Sequence, residues 1–163
     1  MGKHIKDDGL DEYMRLLAQY QDEEKALGDM KQIVYEGAKV AADALRSEIS
    51  SQKTTDSPRT GITKEDKEDL MDGMGVSTME TKKGDVNVKV GFAGYSKNNY
   101  WKNPQTGKRE LRPIPMLARV IMKGTSWHKR VDLVDRTVRK NKDKAVEAMS
   151  AKADEVFKTH FEK

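Results

Sequence analysis

The side chains of this chain that could do chemistry are few and scattered. Among 163 residues there are three histidines, His4, His128 and His160, and no cysteine. The lack of cysteine excludes disulfides, thiolate zinc sites and cysteine nucleophiles together. No histidine stands four residues from another, the spacing at which one helix face holds a metal between two rings. All three are expected at the surface or at helix ends. Ser126 lies two residues before His128 and could suggest a nucleophile and its base. Residues two apart do not share a helix face, however, and no G-x-S-x-G elbow surrounds the serine. Ser126 or Thr125 is expected to cap a helix instead. The acidic groups Asp7-Asp8 and Asp22-Glu23-Glu24 fall where helices begin, where the helix dipole favours negative charge. They lack the alternating ligands of a calcium loop. Gly73-x-Gly75 and Gly91-x-x-Gly94 lack the Gly-Lys-Ser/Thr that follows in a phosphate loop. The residues therefore point away from an enzyme and call for no cofactor and no metal. An enzyme would need His128 buried beside a carboxylate in a cleft.

A different kind of site is written in Tyr95 to Arg112. This stretch carries Lys97, Lys102, Lys108, Arg109 and Arg112 against Glu110 alone, with Tyr95, Tyr100 and Trp101 interleaved. Basic and aromatic side chains on a loop can anchor a protein interface, where Tyr, Trp and Arg concentrate binding energy. They can also hold nucleic acid by phosphate contact and base stacking. A third reading is a solvated hairpin with Trp101 folded back onto the sheet. Taken as a partner surface, the candidates are Tyr95, Lys97, Tyr100, Trp101, Lys108, Arg109 and Arg112.

The elements that must position these residues are legible from periodicity. Leu10, Tyr13, Met14, Leu16, Leu17 and Tyr20 recur at helical spacing. Leu27, Met30, Val34, Ala38, Ala41, Leu45 and Ile49 form the stripe of a second, long helix, opposite Lys25, Lys31, Lys39, Asp43 and Arg46. Small residues in that stripe would admit another helix or the sheet at close range. Ser50 to Gly61 reads as a loop. Thr63-x-x-Asp66 reads as an imperfect capping box, opening a short helix that ends near Asp72-Gly73. Val76 to Glu80 and Val86 to Phe92 are strand candidates, the second with period-2 alternation, joined by a turn at Lys82 to Asp85. Gly94 to Arg112 is a polar loop, hairpin tip or mobile arm. Met116, Leu117, Val120, Ile121 and Met122 make an apolar run that stops at Gly124, a residue able to take positive φ at little cost. A last helix is expected from about Val131.

Length and composition place this in one domain, residues 1–163, with residues 1–8 expected to fray. No run is apolar enough to span a bilayer, and no signal-peptide core opens the chain. The net charge of +4 hides a polarity. Residues 1–80 hold 11 Lys and Arg against 18 Asp and Glu, a net −7, while residues 81–163 hold 20 against 9, a net +11. These charges either solvate helix faces or make the subunit self-complementary, able to pack head-to-tail into a ring.

Several short motifs, in order, carry a family resemblance. They are Gly9-Leu10-Asp11-Glu12-Tyr13, Glu36-Gly37-Ala38 with Ala41-Ala42, Pro58-Arg59-Thr60-Gly61, the strand Val86 to Phe92, and Gly124-Thr125 before the last helix. The chain resembles the gp-ten-like tail-component family of long-tailed phages (HK-ninety-seven type), which are neck or tail-completion proteins. The resemblance implies an α+β fold, with long N- and C-terminal helices packed on a small antiparallel sheet. It implies structural turns at Thr60, Gly61, Gly124 and Thr125. It further implies a virion structural protein, in the host cytoplasm during assembly, whose partners are itself, as a ring, and other neck or tail proteins. The alternative reading is a small basic nucleic-acid-binding protein.

Overall fold

The computed structural model describes residues 23–77, 80–82 and 85–161. The helix expected over Leu10 to Tyr20, the fraying of residues 1–8, and His4 lie outside these. The fold is α+β. Its elements in chain order are α1 (Glu23–Ser51), α2 (Lys64–Gly73), β1 (Met74–Val76), β2 (Glu80–Lys82), β3 (Asp85–Asn87), β4 (Val90–Phe92), β5 (Tyr95–Lys102), β6 (Arg109–Pro113), α3 (Ile114–Lys123) and α4 (Val134–Phe161). No helix among the described residues is long and apolar enough to cross a membrane.

The two long helices pack on one another in opposite directions. Gly37 of α1 meets Met149 of α4, while Glu48, eleven residues further on, is 3.6 Å from Arg136. A Cβ at position 37 would lie 2.6 Å from the Met149 side chain, so the small residue in the α1 stripe does admit a second helix. Lys67 of α2 closes the C-terminal end of α1, donating from Nζ to the carbonyls of Ser50 and Gln52.

The core is built around the ten-residue α3. Its Ile114, Leu117, Ala118 and Ile121 are all buried, at the spacing of a single helix face. They meet Ala42, Leu45 and Ile49 of α1, with Ile62, Leu70, Met74 and Leu133. At about 1.5–3 kcal/mol for each large side chain, this cluster is the main stabilising term available to so polar a chain. Pro115 in the first turn of α3 costs no hydrogen bond, because that position has no intrahelical acceptor.

The strands form antiparallel pairs: β1 with β4, β2 with β3, and β5 with β6. The first four belong to one irregular hairpin. Met74 pairs with Phe92 and Val76 with Val90, whereas Glu80 pairs with Asn87. The register thus differs by one residue between the two pairs, and the hydroxyl and N–H of Ser77 both bond Lys89. The expected strand Val86 to Phe92 is interrupted at residues 88–89, and of the expected strand Val76 to Glu80 residues 78–79 lie outside the described ones. The turn expected at Lys82 to Asp85 is flanked by that pair, and residues 83–84 lie outside the described ones. The insertion Gly94 to Arg112 is a hairpin in which β5 pairs with β6.

The apolar run before Gly124 is helix α3, and Gly124 ends it with φ +73° and an N–H bond to Val120 O of 2.9 Å. The chain then turns through Thr125–His128 and returns, Val131 N–H bonding Ile121 O at 2.9 Å. The last helix starts at Val134 rather than Val131, since Val131 is spent on that return. Gly124→Val would combine a left-handed φ with a Cβ 2.9 Å from the Cβ of Arg130. It should cost about 1–3 kcal/mol, lowering the melting temperature by about 2–4 °C per kcal/mol. An unchanged thermal melt would remove this role.

Candidate functional site

Asp66 and Asp69 are one helical turn apart on α2 and face the same side. The N–H of Asp66 donates to the capping hydroxyl of Thr63 at 3.1 Å. Its carboxylate does not fold back to complete the box. It turns inward instead, where Arg112 of β6 donates from Nη2 to Asp66 Oδ1 at 2.7 Å and to Asp69 Oδ2 at 2.9 Å. Asp66 is 2% exposed and Asp69 8%.

Strand β5 contributes two further donors by breaking its own register. Tyr95 pairs with Pro113 but Tyr100 with Leu111, so the strand bulges between them. Within the bulge the N–H of Asn99 donates to Ser96 Oγ at 2.9 Å. Ser96 Oγ in turn donates to Asp69 Oδ1 at 2.8 Å, and Asn99 Nδ2 donates to Asp69 Oδ2 at 2.9 Å. A regular strand sends successive side chains to opposite faces. The bulge lets residues three apart converge on one carboxylate. Burial on its own would raise the pKa of Asp69. Hydrogen bonds from Asn99, Arg112 and Ser96, with the charge of Arg112, outweigh it and hold the carboxyl below its ordinary value of 3.8.

His128 closes the group from the turn after α3. Its Nε2 is 3.4 Å from Asp66 Oδ2 and its Nδ1 is 3.0 Å from the carbonyl of Lys129. Thr125 Oγ1 holds that turn by accepting the N–H groups of Trp127 and His128. The surface or helix-end position expected for His128 is thus corrected: the ring is buried, because the stop at Gly124 folds it back over α2. The side chain of His160 lies outside the described ones.

A His–Asp pair can orient a general base. Here Asp66 is already engaged by Arg112, and Ser96 spends its hydroxyl hydrogen on Asp69. The pair is sealed inside the fold. An apolar groove of about 420 Å³ lies elsewhere, lined by Ala41, Leu45, Phe92, Met122, Val138 and Val146 among others, and by none of these six polar residues. Among the described residues no group of three or more His, Asp or Glu is placed to hold a metal ion. Two carboxylates bind one guanidinium, tying α2, β5, β6 and the turn after α3 together.

The candidate partner surface divides. Arg112 leaves it, since its guanidinium points inward to α2. Its buried Nε has no hydrogen-bond partner among the described residues. Trp101 is half-buried, with its indole N–H enclosed and unpartnered. Lys97 is exposed but paired with Asp72 at 2.7 Å, a hydrogen bond and charge that raise its pKa. Tyr95 and Tyr100 are 66% and 53% exposed, and Arg109 stacks 5.0 Å above the Tyr100 ring. Lys108 is exposed near the hairpin tip. The two structural turns, expected separately, meet. Lys129 N–H donates to Pro58 O at 3.0 Å, and Arg59 lies 5.1 Å above the ring of Trp127. Thr60 Oγ1 and N–H both bond Ser57 O, and Gly61 is buried against Thr55. Sequence reasoning missed Asp69, Ser96, Asn99 and the inward role of Asp66. The available signal was the acidic pair three residues apart on a helix with little apolar face.

No protein-family model matches the chain, and neither a curated protein nor a solved structure matches it.

Arg112→Met would leave two buried carboxylates without their cation and should cost about 3 kcal/mol or more by chemical denaturation. Because the folded pKa of Asp69 is depressed, its contribution is present above about pH 3.8 and drains away as pH falls below that value. Asp69→Asn should therefore lower stability at neutral pH and flatten the acid limb of the stability profile. An acid limb of unchanged slope would show that Asp69 carries none of it.

Proposed function

We propose that this chain is a non-enzymatic building block of a tailed-phage virion, joining or completing the tail at the head–tail junction. It does so by assembling with copies of itself and with neighbouring virion proteins. The ordered run of motifs resembling the tail-component family motivates the virion setting. The observation that carries the mechanical part is the rooting of the β5–β6 hairpin. Its base is bolted to α2 through Ser96, Asn99 and Arg112, while Tyr95, Tyr100 and Arg109 stand in solvent above it. A rigid support removes most of the ordering cost that a free loop would incur on binding. A stacked Tyr–Arg pair is the sort of side-chain set that dominates interface energetics.

The double variant Tyr100→Ala/Arg109→Ala truncates two largely exposed side chains outside the core and should melt within a few degrees of the parent. Its affinity for a virion partner or for itself should fall by about 30-fold or more, the loss of about 2 kcal/mol typical of a hot spot. Antibody to the chain should label the head–tail junction of particles in immunoelectron microscopy. Labelling absent from particles, together with tight DNA retention that collapses steeply with salt, would replace this reading by the nucleic-acid one.

A further inference from the structure

Trp127 exposes more of its surface than any other large hydrophobic among the described residues, 68%. The turn that carries it is nevertheless tied down from within. Thr125 and His128 exchange backbone hydrogen bonds at 2.9 and 3.3 Å, and Thr125 Oγ1 accepts the N–H groups of Trp127 and His128. The His128 ring is buried, and the N–H of Lys129 crosses to Pro58 O in the loop between α1 and α2. That loop is fixed in its turn by Ser57, whose carbonyl accepts the N–H groups of Thr60 and Gly61. From it Arg59 reaches back, its guanidinium 5.1 Å above the indole.

A ring left in water forgoes the stabilisation that its burial would bring to the subunit. Held in one orientation, the same ring loses little further freedom when a partner covers it. Trp and Arg are also the side chains most often found at the energetic centre of a protein interface.

The surroundings select the partner's charge. The two loops, residues 52–63 and 124–133, carry Lys53, Arg59, Lys129 and Arg130 against Asp56 and Asp132. All four cations are exposed, and none has an ion-pair partner among the described residues. Such a patch is complementary to an acidic one. Single-stranded nucleic acid is acidic too, but it is held by successive bases stacking on several rings. These loops expose one ring, and a guanidinium already covers one of its faces. We infer that Trp127 and Arg59 form a second interaction surface, distinct from the β5–β6 hairpin, which seats on an acidic face of another protein of the particle. This rests on the reading of the chain as a virion building block.

The test adds the full-length chain to particles assembled without it. The chain has no cysteine, so Ser126→Cys, exposed beside Trp127, takes a benzophenone maleimide at one place. Illumination is expected to cross-link it to a different virion protein. Adding Arg59→Glu and Lys129→Glu, both at exposed side chains, should cut that cross-link by about tenfold or more while the chain melts within a few degrees of the parent. Trp127→Ala should cut it similarly. A cross-link to DNA or only to a second copy, a cross-link indifferent to these changes, or none in particles that have taken up the chain overturns the surface and leaves the virion reading standing. Particles that never take up the parent chain remove both.

Discussion

Arg112 is the cation on which the buried polar cluster beneath α2 depends. Two aspartates one turn apart on the same face of α2 are carried into the fold, where buried carboxylates need charged or hydrogen-bonding partners. One guanidinium answers both, at 2.7 and 2.9 Å. Much else follows from that demand. Arg112 must reach α2 from β6, and β5, which packs beside α2, must leave residues 96–99 out of regular pairing to bring Ser96 and Asn99 to Asp69. The turn after Gly124 must fold back far enough to seal the group with His128. A buried pair of this kind is weak evidence for net stability, since apolar replacements can do as well. Its directionality makes it strong evidence for a fixed geometry at the root of the β5–β6 hairpin.

The parts of this architecture that could be read in advance are those governed by local rules. The α1 stripe, the Thr63 cap and the Gly124 stop each depend on a few neighbouring residues with known preferences. The polar cluster was illegible because its members come from residues 66, 69, 96, 99, 112 and 128, and no spacing rule links them. Arg112 was assigned to the surface for a sound local reason, as the last cation of a basic run. Only the pairing of β6 opposite a bulged β5 turns it inward. His128 was misplaced for the same cause: its burial depends on where the chain goes after Gly124, which a positive φ permits but does not dictate.

The acidic first half and basic second half have a partly internal explanation. Asp66 and Asp69 bind Arg112, Asp72 binds Lys97, and Glu48 faces Arg136, so these inter-element pairs each set an acid from the first half against a base from the second. Part of the polarity is therefore consumed in holding the subunit together. The rest is unevenly placed along the sequence, with acid gathered around residues 7–24 and base along residues 139–144. Exposed charge of this kind acts between molecules only over about 8–10 Å at ordinary salt.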